Sequence, residues 1–543
     1  MKTLGFDFGS GYSTAAVYFD GRWGYLTPGV RGNGIPSVYY CDETGREYFG
    51  EDALEYLNGI GVQNTVPVSD LKRNIDRESV EINGKTYDTK RIVKGLIKHV
   101  LQKAQNKLDE DYFLLAAQNE KEDTLGYVCT FPVHLLNGKD QILKNMIYSF
   151  NAMDDFYIRT AADKQQHLKL LGALQEPYAA GIYYLKETNK ENSNVLVYDL
   201  GSGTFDVAAV SVSLNGNDVH FAPAVGTAME SEEIGGNDFD LRLEQLIRKK
   251  YQENGVDCNE ALKGILHQDV INAKHSLSNS AFDHIVFTSQ AFDNQKITIS
   301  RTEFEGATGD LLERTLEITQ KVVGICKENN KTIDDIILVG GGSNMPMVKQ
   351  ALKQRFYNED FSFRVFNPSN AIAAGAAYYA ELLAQRQNPD IANVEEGVQA
   401  SPVSVEIVSN ASYGTDILFN DETKCDVLLP KGTPLPYRIT AGYVASRENQ
   451  KTMSIEIFEC DERADKAYSP REHIDMEHAH RITNNRTEGS ASYILAGRKP
   501  KNIKYTLVAD EYGILSVYVS QDGGIQNKLS LQYRVNVNGG NEE

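Results

Sequence analysis

Three carboxylates stand where glycine-rich turns would set them against phosphate. Residues 5–11 read Gly-Phe-Asp-Phe-Gly-Ser-Gly, and residues 198–206 read Tyr-Asp-Leu-Gly-Ser-Gly-Thr-Phe-Asp. Each is a β-run ending in Asp (Asp7, Asp199), then a turn of Gly, Ser or Thr, then a second β-run (Tyr12–Phe19; Thr204–Val212). The second copy adds a further carboxylate, Asp206. Such turns cluster backbone N–H groups that bind anions, and glycine lets the backbone approach closely. A carboxylate in an anion site makes sense if a cation such as Mg2+ sits between it and phosphate. Two such hairpins facing each other across a cleft are expected to grip a nucleoside triphosphate from both sides. Turn formation alone explains one copy as well as ligand binding does. Two copies and a third glycine cluster favour the nucleotide.

The third cluster is Ile336-Ile-Leu-Val-Gly-Gly-Gly-Ser343, followed by Asn344-Met345-Pro346. An apolar strand running into glycines and then a helix is a nucleotide-cradling arrangement. Glu176-Pro177 opens an Ala-rich helix, with proline fixing the first turn. A glutamate there would orient a water or a metal-bound water, or simply favour the helix dipole. Lys72, in Asp70-Leu-Lys-Arg-Asn74, is unremarkable from its neighbours alone.

These groups need a scaffold. Residues 1–386 alternate apolar strand runs (Gly126–Phe131, Asn194–Leu200, Asp335–Val339) with helical stretches (Glu176–Leu185, Ala371–Arg386), the α/β signature. The repeated hairpin predicts two lobes related by duplication, split near residues 175–190. Residues 387–402 are rich in Pro, Asn, Glu and Gly and read as a linker. From 403 to 538 the periodicity becomes two, in runs such as Met453–Phe458, Ile503–Val508, Ile514–Val519 and Leu529–Val535. Turn clusters at Asp510–Gly513 and Asp522–Gly524 separate them, predicting a β-sandwich, with 539–543 as a tail.

A chain of 543 residues predicts two to four domains. A net charge of −20 without one long acidic block argues against duplex nucleic acid or an anionic membrane as the main partner. No apolar run reaches membrane-spanning length, and the first turn motif begins at Gly5, so no leader is expected. The six cysteines are scattered without a CxxC pair. They read as reduced thiols of a cytoplasmic protein, not a disulfide framework or zinc site.

Taken in order, the motifs resemble those of the 70-kDa heat-shock (DnaK-type) chaperones. They are Asp7-Phe-Gly-Ser-Gly-Tyr-Ser, Asn64-Thr-Val with Lys72-Arg73, Glu176-Pro-Tyr-Ala-Ala-Gly, Tyr198–Val207, Ile234–Asp240, Asn272–Ser278 and Leu338–Ser343. Leu428–Pro436 and Asp510–Val517 resemble stretches of that family's peptide-binding sandwich. The resemblance implies a duplicated, actin-like (ribonuclease H-like) ATPase domain, then a linker and a β-sandwich that binds peptide. It implies ATP/ADP and Mg2+ as cofactors and slow hydrolysis of ATP to ADP and phosphate. By similarity Asp7, Glu176, Asp199 and Asp206 organise the metal and the attacking water, Asp7 and Asp199 largely through bound water. Lys72 is the main catalytic group, assisted by Thr204. Gly9, Ser10, Gly11, Tyr12, Gly201, Ser202 and Gly203 wrap the phosphates with Thr204. Gly235, Gly236, Lys274, Ser278, Gly341, Gly342 and Ser343 hold the adenosine. Unfolded peptide or a dedicated client protein is the implied partner, with divergent co-chaperones.

The chain also departs from the family. His275 and Asn344 stand where two arginines sandwich adenine, Ile271 replaces a ribose-contacting glutamate, and Ser369 replaces an Asp. Weaker nucleotide affinity and looser base choice are expected. Gly172 replaces a basic residue tied to J-domain docking, the linker lacks an Asp-Leu-Leu-Leu run, and the helical lid is expected to be missing. The competing reading is a nucleotide-gated binding module for one dedicated partner with little coupled hydrolysis. A small-molecule kinase or a filament-forming protein of the same fold is disfavoured by the appended sandwich.

Overall fold

The computed structural model describes residues 2–27, 34–59, 67–69, 71–72, 75, 79–82, 85–111, 124–132, 157–159, 165–215, 218–225, 228–279, 281–365, 368–387, 404–405, 407–409, 412–444, 452–454, 456–461, 468–481, 492–495, 502–509, 515–521 and 527–529. Residues 388–402 of the linker expected at 387–402, the Asn64-Thr-Val and Arg73 positions, the turns at 510–513 and 522–524, and the tail lie outside these residues, whereas Gln387 ends a helix. The described residues fall into two compact units, one drawn from 1–132, 146–221 and 230–404, the other from 222–229 and 405–543.

The first unit holds the same sheet twice. β1 (Lys2–Asp7), β2 (Tyr12–Phe19), β3 (Arg22–Tyr25), β4 (Thr124–Phe131), β5 (Tyr157–Arg159) and β6 (Gln165–Gln175) form one sheet in the order β5-β6-β4-β1-β2-β3. β1 runs antiparallel to β2 but parallel to β4, which is parallel to β6. α1 (Glu176–Thr188) follows β6. The second sheet is built from β7 (Asn192–Leu200), β8 (Phe205–Asn215), β9 (Asp335–Val339) and β10 (Ser362–Val365). Its order is β10-β9-β7-β8, with β7 antiparallel to β8 and parallel to β9. The helix α2 (Ala371–Gln387) follows β10. The central strands β1, β4, β7 and β9 are buried along nearly their whole length, as parallel strands covered on both faces must be. Their runs are accordingly apolar rather than alternating.

The two helices exchange partners. α2 packs on β1, β2 and β4 of the first sheet, α1 packs on β7 and β8 of the second, and the two helices cross each other. The crossing is backbone on backbone. A Cβ added at Gly375 of α2 would lie 1.8 Å from the Ala179 carbonyl oxygen of α1, and one at Gly5 of β1 would lie 2.1 Å from the Ala377 nitrogen. The Ala-rich composition of α2 is what permits this approach.

The second unit is a β-sandwich. β11 (Ser412–Phe419), β12 (Glu422–Leu429), β13 (Phe458–Cys460), β14 (His473–Asp475) and β15 (Ala479–Arg481) form a sheet in the order β14-β12-β11-β13-β15. The β11–β12 hairpin turns through Asn420 and Asp421, both at positive φ (52° and 65°), the two-residue turn that matches strand twist. A second sheet contains β16 (Tyr437–Val444), β17 (Asn502–Ala509), β18 (Leu515–Gln521) and β19 (Asn527–Leu529) in that order. Alternate residues such as Ile503, Tyr505 and Leu507 point inward and are buried. Asp426 of β12 is wholly buried and accepts hydrogen bonds from Tyr443 Oη of β16 (2.6 Å) and Arg471 Nε (3.1 Å), joining the two sheets. One expectation fails. The run Met453–Phe458 is not one strand: Thr452–Ser454 pairs with Ser492–Ile494, whereas Phe458–Cys460 pairs with β11 and β15. Alternation reads inward-facing positions but not the point at which a strand changes sheet. Of the run Leu529–Val535 only Leu529 is described.

Gly375→Val forces a side chain into the Ala179 carbonyl, so it should destabilise the first unit by about 3 kcal/mol or more. The check is the thermal midpoint of the nucleotide-free chain; an unchanged midpoint contradicts the helix crossing.

Candidate nucleotide site

Register builds the site before any side chain acts. β1 pairs with β2 so that Asp7 faces Thr14, and β7 pairs with β8 so that Asp199 faces Asp206. The acids therefore sit at the open ends of two hairpins. The second turn closes with Gly201 N–H donating to the Thr204 carbonyl (2.9 Å). The first is braced by Ser37, which donates its N–H to the Gly11 carbonyl and its hydroxyl to the Gly9 carbonyl (both 2.7 Å). The turns meet: a Cβ on Gly11 would lie 2.5 Å from Ser202 Oγ. The helix α3 (Gly236–Glu253) backs the second turn, with Gly236 N–H donating to the Gly201 carbonyl and Asn237 N–H to the Ser202 carbonyl.

A cleft of about 830 Å³ opens along both turns. All the expected site residues line it except Asp206, Gly235 and Ser343. Gly235 packs against the second turn, where a Cβ would strike Ser202 and Gly203 backbone at 2.4–2.5 Å. Ser343 is buried and donates its hydroxyl to the Val339 carbonyl, which makes it a brace as well. Gly340, at φ 78°, was not singled out from sequence, yet a Cβ there would lie 2.4 Å from Asp199 Oδ1. Gly341 and Gly342 line the cleft beside it, with Asn344.

The electrostatic centre is Lys72. Its Nζ lies 2.7 Å from Glu176 Oε1, with both side chains more than nine-tenths buried. Burial alone would lower the Lys72 pKa, but Glu176, Asp7 and Asp206 outweigh it and hold the ammonium above its usual range. Burial pushes Asp7 up, opposed by Lys72 and by the Thr130 hydroxyl, which donates to Asp7 Oδ1 (2.9 Å). Burial also pushes Glu176 up, against the pull of Lys72. Asp199 is raised by burial and then by Glu176, Asp206 and Asp7. Among the described residues four carboxylates thus share one ammonium beside the cleft, which favours either protons or a further cation.

The far end of the cleft is formed by α4 (Lys263–Leu277), whose Gly264, His267, Gln268, Ile271, Lys274 and His275 line it together with Ser278. Their spacing of three and four is one helix face, a signal that was present in the sequence but was read only at its C-terminal end. Lys274 is committed, donating to Asp240 Oδ2 (2.6 Å) and to the Gly236 carbonyl (2.8 Å). Ser278 donates its hydroxyl to the Lys274 carbonyl (2.8 Å). Asp240, which fixes Lys274, closes the Ile234–Asp240 motif but was not singled out as a site residue.

The residues fit a phosphate-bearing ligand with a hydrated cation. Thr14 Oγ1 and Asp240 Oδ1 are buried, belong to residues lining the cleft, and have no hydrogen-bond partner among the described residues. Groups of this kind require water or ligand. Among the described residues no three His, Cys, Asp or Glu side chains converge to hold a bare ion. A cation here would keep most of its waters, as Mg2+ does.

Comparison with known proteins agrees with this geometry. The family model described as Hsp70 protein matches residues 160–528. "Chaperone protein DnaK" of Thermosipho africanus (strain TCF52B) is 25% identical over 438 residues, which cover 78% of this chain and 64% of that protein. "Heat shock cognate 70 kDa protein 3" of Dictyostelium discoideum is 26% identical over 486 residues, covering 84% of this chain and 71% of that protein. The chain thus spans about two thirds of the length of these relatives. Two lobes built on a repeated hairpin around a glycine-lined cleft, followed by a β-sandwich, with the family model matching residues 160–528, make this chain a member of the Hsp70 family with an actin-like nucleotide domain.

Proposed function

We propose that this chain is an ATP-dependent chaperone: hydrolysis within residues 1–386 modulates peptide or client binding by the β-sandwich of 403–538 through the segment 387–402. The observation that carries the reading is the cluster of four carboxylates around Lys72, set beside two glycine turns that favour anions. Those preferences conflict unless a cation joins carboxylate to phosphate.

Asp7 and Asp199 would hold Mg2+ through its waters, and the ion would neutralise charge on the phosphates. The turns Gly9–Tyr12 and Gly201–Thr204 bind the phosphates through backbone N–H groups and hydroxyls. Lys72, positioned by Glu176, offers positive charge where charge develops on the transferred phosphoryl group. Glu176 and Asp206 orient water and accept its proton. The base side, with His275, Asn344 and Ile271, offers no guanidinium, consistent with looser base choice. Leu418 and Phe419 on the β11–β12 hairpin and Val444 of β16 are exposed apolar groups suited to an extended apolar peptide. All six cysteines are free, and no helix among the described residues is long and apolar enough to cross a membrane; we place the chain in the cytoplasm.

Lys72→Ala should lower single-turnover ATP hydrolysis by about 100-fold or more while leaving nucleotide binding detectable. Unfolded peptides should accelerate hydrolysis by the unmodified chain. Tight nucleotide binding with turnover indifferent to Lys72 and to every peptide moves the assignment to a dedicated binding module.

The raised carboxyls also set a pH dependence. Because Asp7, Glu176 and Asp199 hold protons more tightly folded than unfolded, their stabilising contribution is complete below the ordinary carboxylate range. It is lost as pH rises through the raised values. The thermal midpoint of the nucleotide-free chain should therefore fall from about pH 5 to above neutrality, and Asp199→Asn should reduce that fall and lift the neutral-pH stability by about 1 kcal/mol. A midpoint that rises across that window would contradict the cluster's electrostatics.

A further inference from the structure

One strand of the first sheet reaches the site without touching the cleft. Phe6 of β1 pairs with Cys129 of β4, so the next residues, Asp7 and Thr130, stand side by side. Thr130 is wholly buried, and its Oγ1 donates to Asp7 Oδ1 at 2.9 Å. On its other side Thr130 pairs with Leu174 of β6, whose apolar side chain offers the hydroxyl no partner. Among the described residues Asp7 is the acceptor this hydroxyl has. In sequence Thr130 is one β-branched residue in a strand run, with nothing to mark it.

The second lobe repeats the strands but not this contact. There β9 takes the place of β4, and Asp199 pairs with Val339, which carries no hydroxyl. Asp199 is confined by backbone instead, since a Cβ on Gly340 would lie 2.4 Å from its Oδ1. The two halves thus differ at one matched position. The difference matters because of how a carboxylate moves. The torsion about an aspartate Cβ–Cγ bond is broad, with no sharp preference of its own. A hydrogen bond from a buried hydroxyl to a carboxylate is strong, and one such bond to Oδ1 removes that freedom. Asp7 lines the cleft and Thr130 does not, so the route from Thr130 to a ligand runs through Asp7.

We propose that Thr130 is a positioning residue for the cation-dependent grip on nucleotide, a role that rests on the hydrated Mg2+ reading given above. Its hydroxyl holds the Asp7 carboxylate in one orientation before any ligand arrives, so that ordering Asp7 costs little on binding. Hydrogen-bond partners of metal-holding groups act in this way, and losing one weakens metal affinity by roughly 10- to 100-fold. Because the metal's water stands between Asp7 and the ion, the lower end of that range applies. Asp199, held by backbone contact, needs no such donor.

The test measures ADP binding to the full chain by titration calorimetry, once in Mg2+ and once in EDTA. Thr130→Val, which keeps the shape and removes the donor, is expected to weaken binding by about 10-fold in Mg2+ and by less than about twofold in EDTA. The Mg2+ concentration that half-saturates this binding should rise by the same factor. Thr130→Ser, which keeps the donor, should restore both. Equal weakening in Mg2+ and EDTA overturns the proposal, because a hydroxyl that only braces the fold acts without regard to the cation. A Thr130→Ser chain as impaired as Thr130→Val overturns it too. Mg2+-dependent binding that ignores Thr130→Val removes the positioning role alone, whereas an unmodified chain that binds ADP equally in Mg2+ and EDTA removes the cation reading and this role with it. If Thr130→Val loses its β-sheet circular dichroism, Thr130→Ala titrated against Thr130→Ser decides.

Discussion

An excess of buried negative charge governs this molecule. Asp7 and Glu176 come from the first sheet and the helix after it, Asp199 and Asp206 from the second hairpin, and among the described residues Lys72 is the one ammonium placed between them. Bringing the lobes together therefore brings like charges together. Thr130, the Lys72–Glu176 pair and the glycine turns each reduce that repulsion without cancelling it. A cation bound there, as proposed, would reduce that repulsion by the same interaction that would recruit phosphate.

The β-sandwich rests on a different kind of polar group. Asp426 is as buried as the Lys72 cluster, but Tyr443 and Arg471 both donate to it, and the Arg471 guanidinium also lies over the Tyr443 ring at 5.2 Å. A buried carboxylate paired in this way fixes how two sheets face each other.

The two glycine turns that line the cleft were legible in the sequence because their signals are local. Asp-Phe-Gly-Ser-Gly and Asp-Leu-Gly-Ser-Gly-Thr carry turn geometry and charge within a few residues, and the strands around them are long apolar runs. Glu176-Pro177 marked its helix for the same reason. Lys72 carried no local signal, and only resemblance to a family singled it out. Asp240, Thr130 and Gly340 act across the fold, through Lys274, Asp7 and Asp199, and no spacing announces such pairs. Gly235 and Ser343 were expected at the ligand because of their motifs; the structure shows Gly235 against the second turn and Ser343 donating to the Val339 carbonyl.

The crossed helices tie the two lobes together. α1 belongs by sequence to the first lobe but packs on the second sheet, and α2 does the reverse. Each lobe, cut from the other, would lose a helix that covers its central strands. The halves are therefore expected to fold and unfold as one unit, and the backbone approach at Gly375 is where that mutual dependence is tightest.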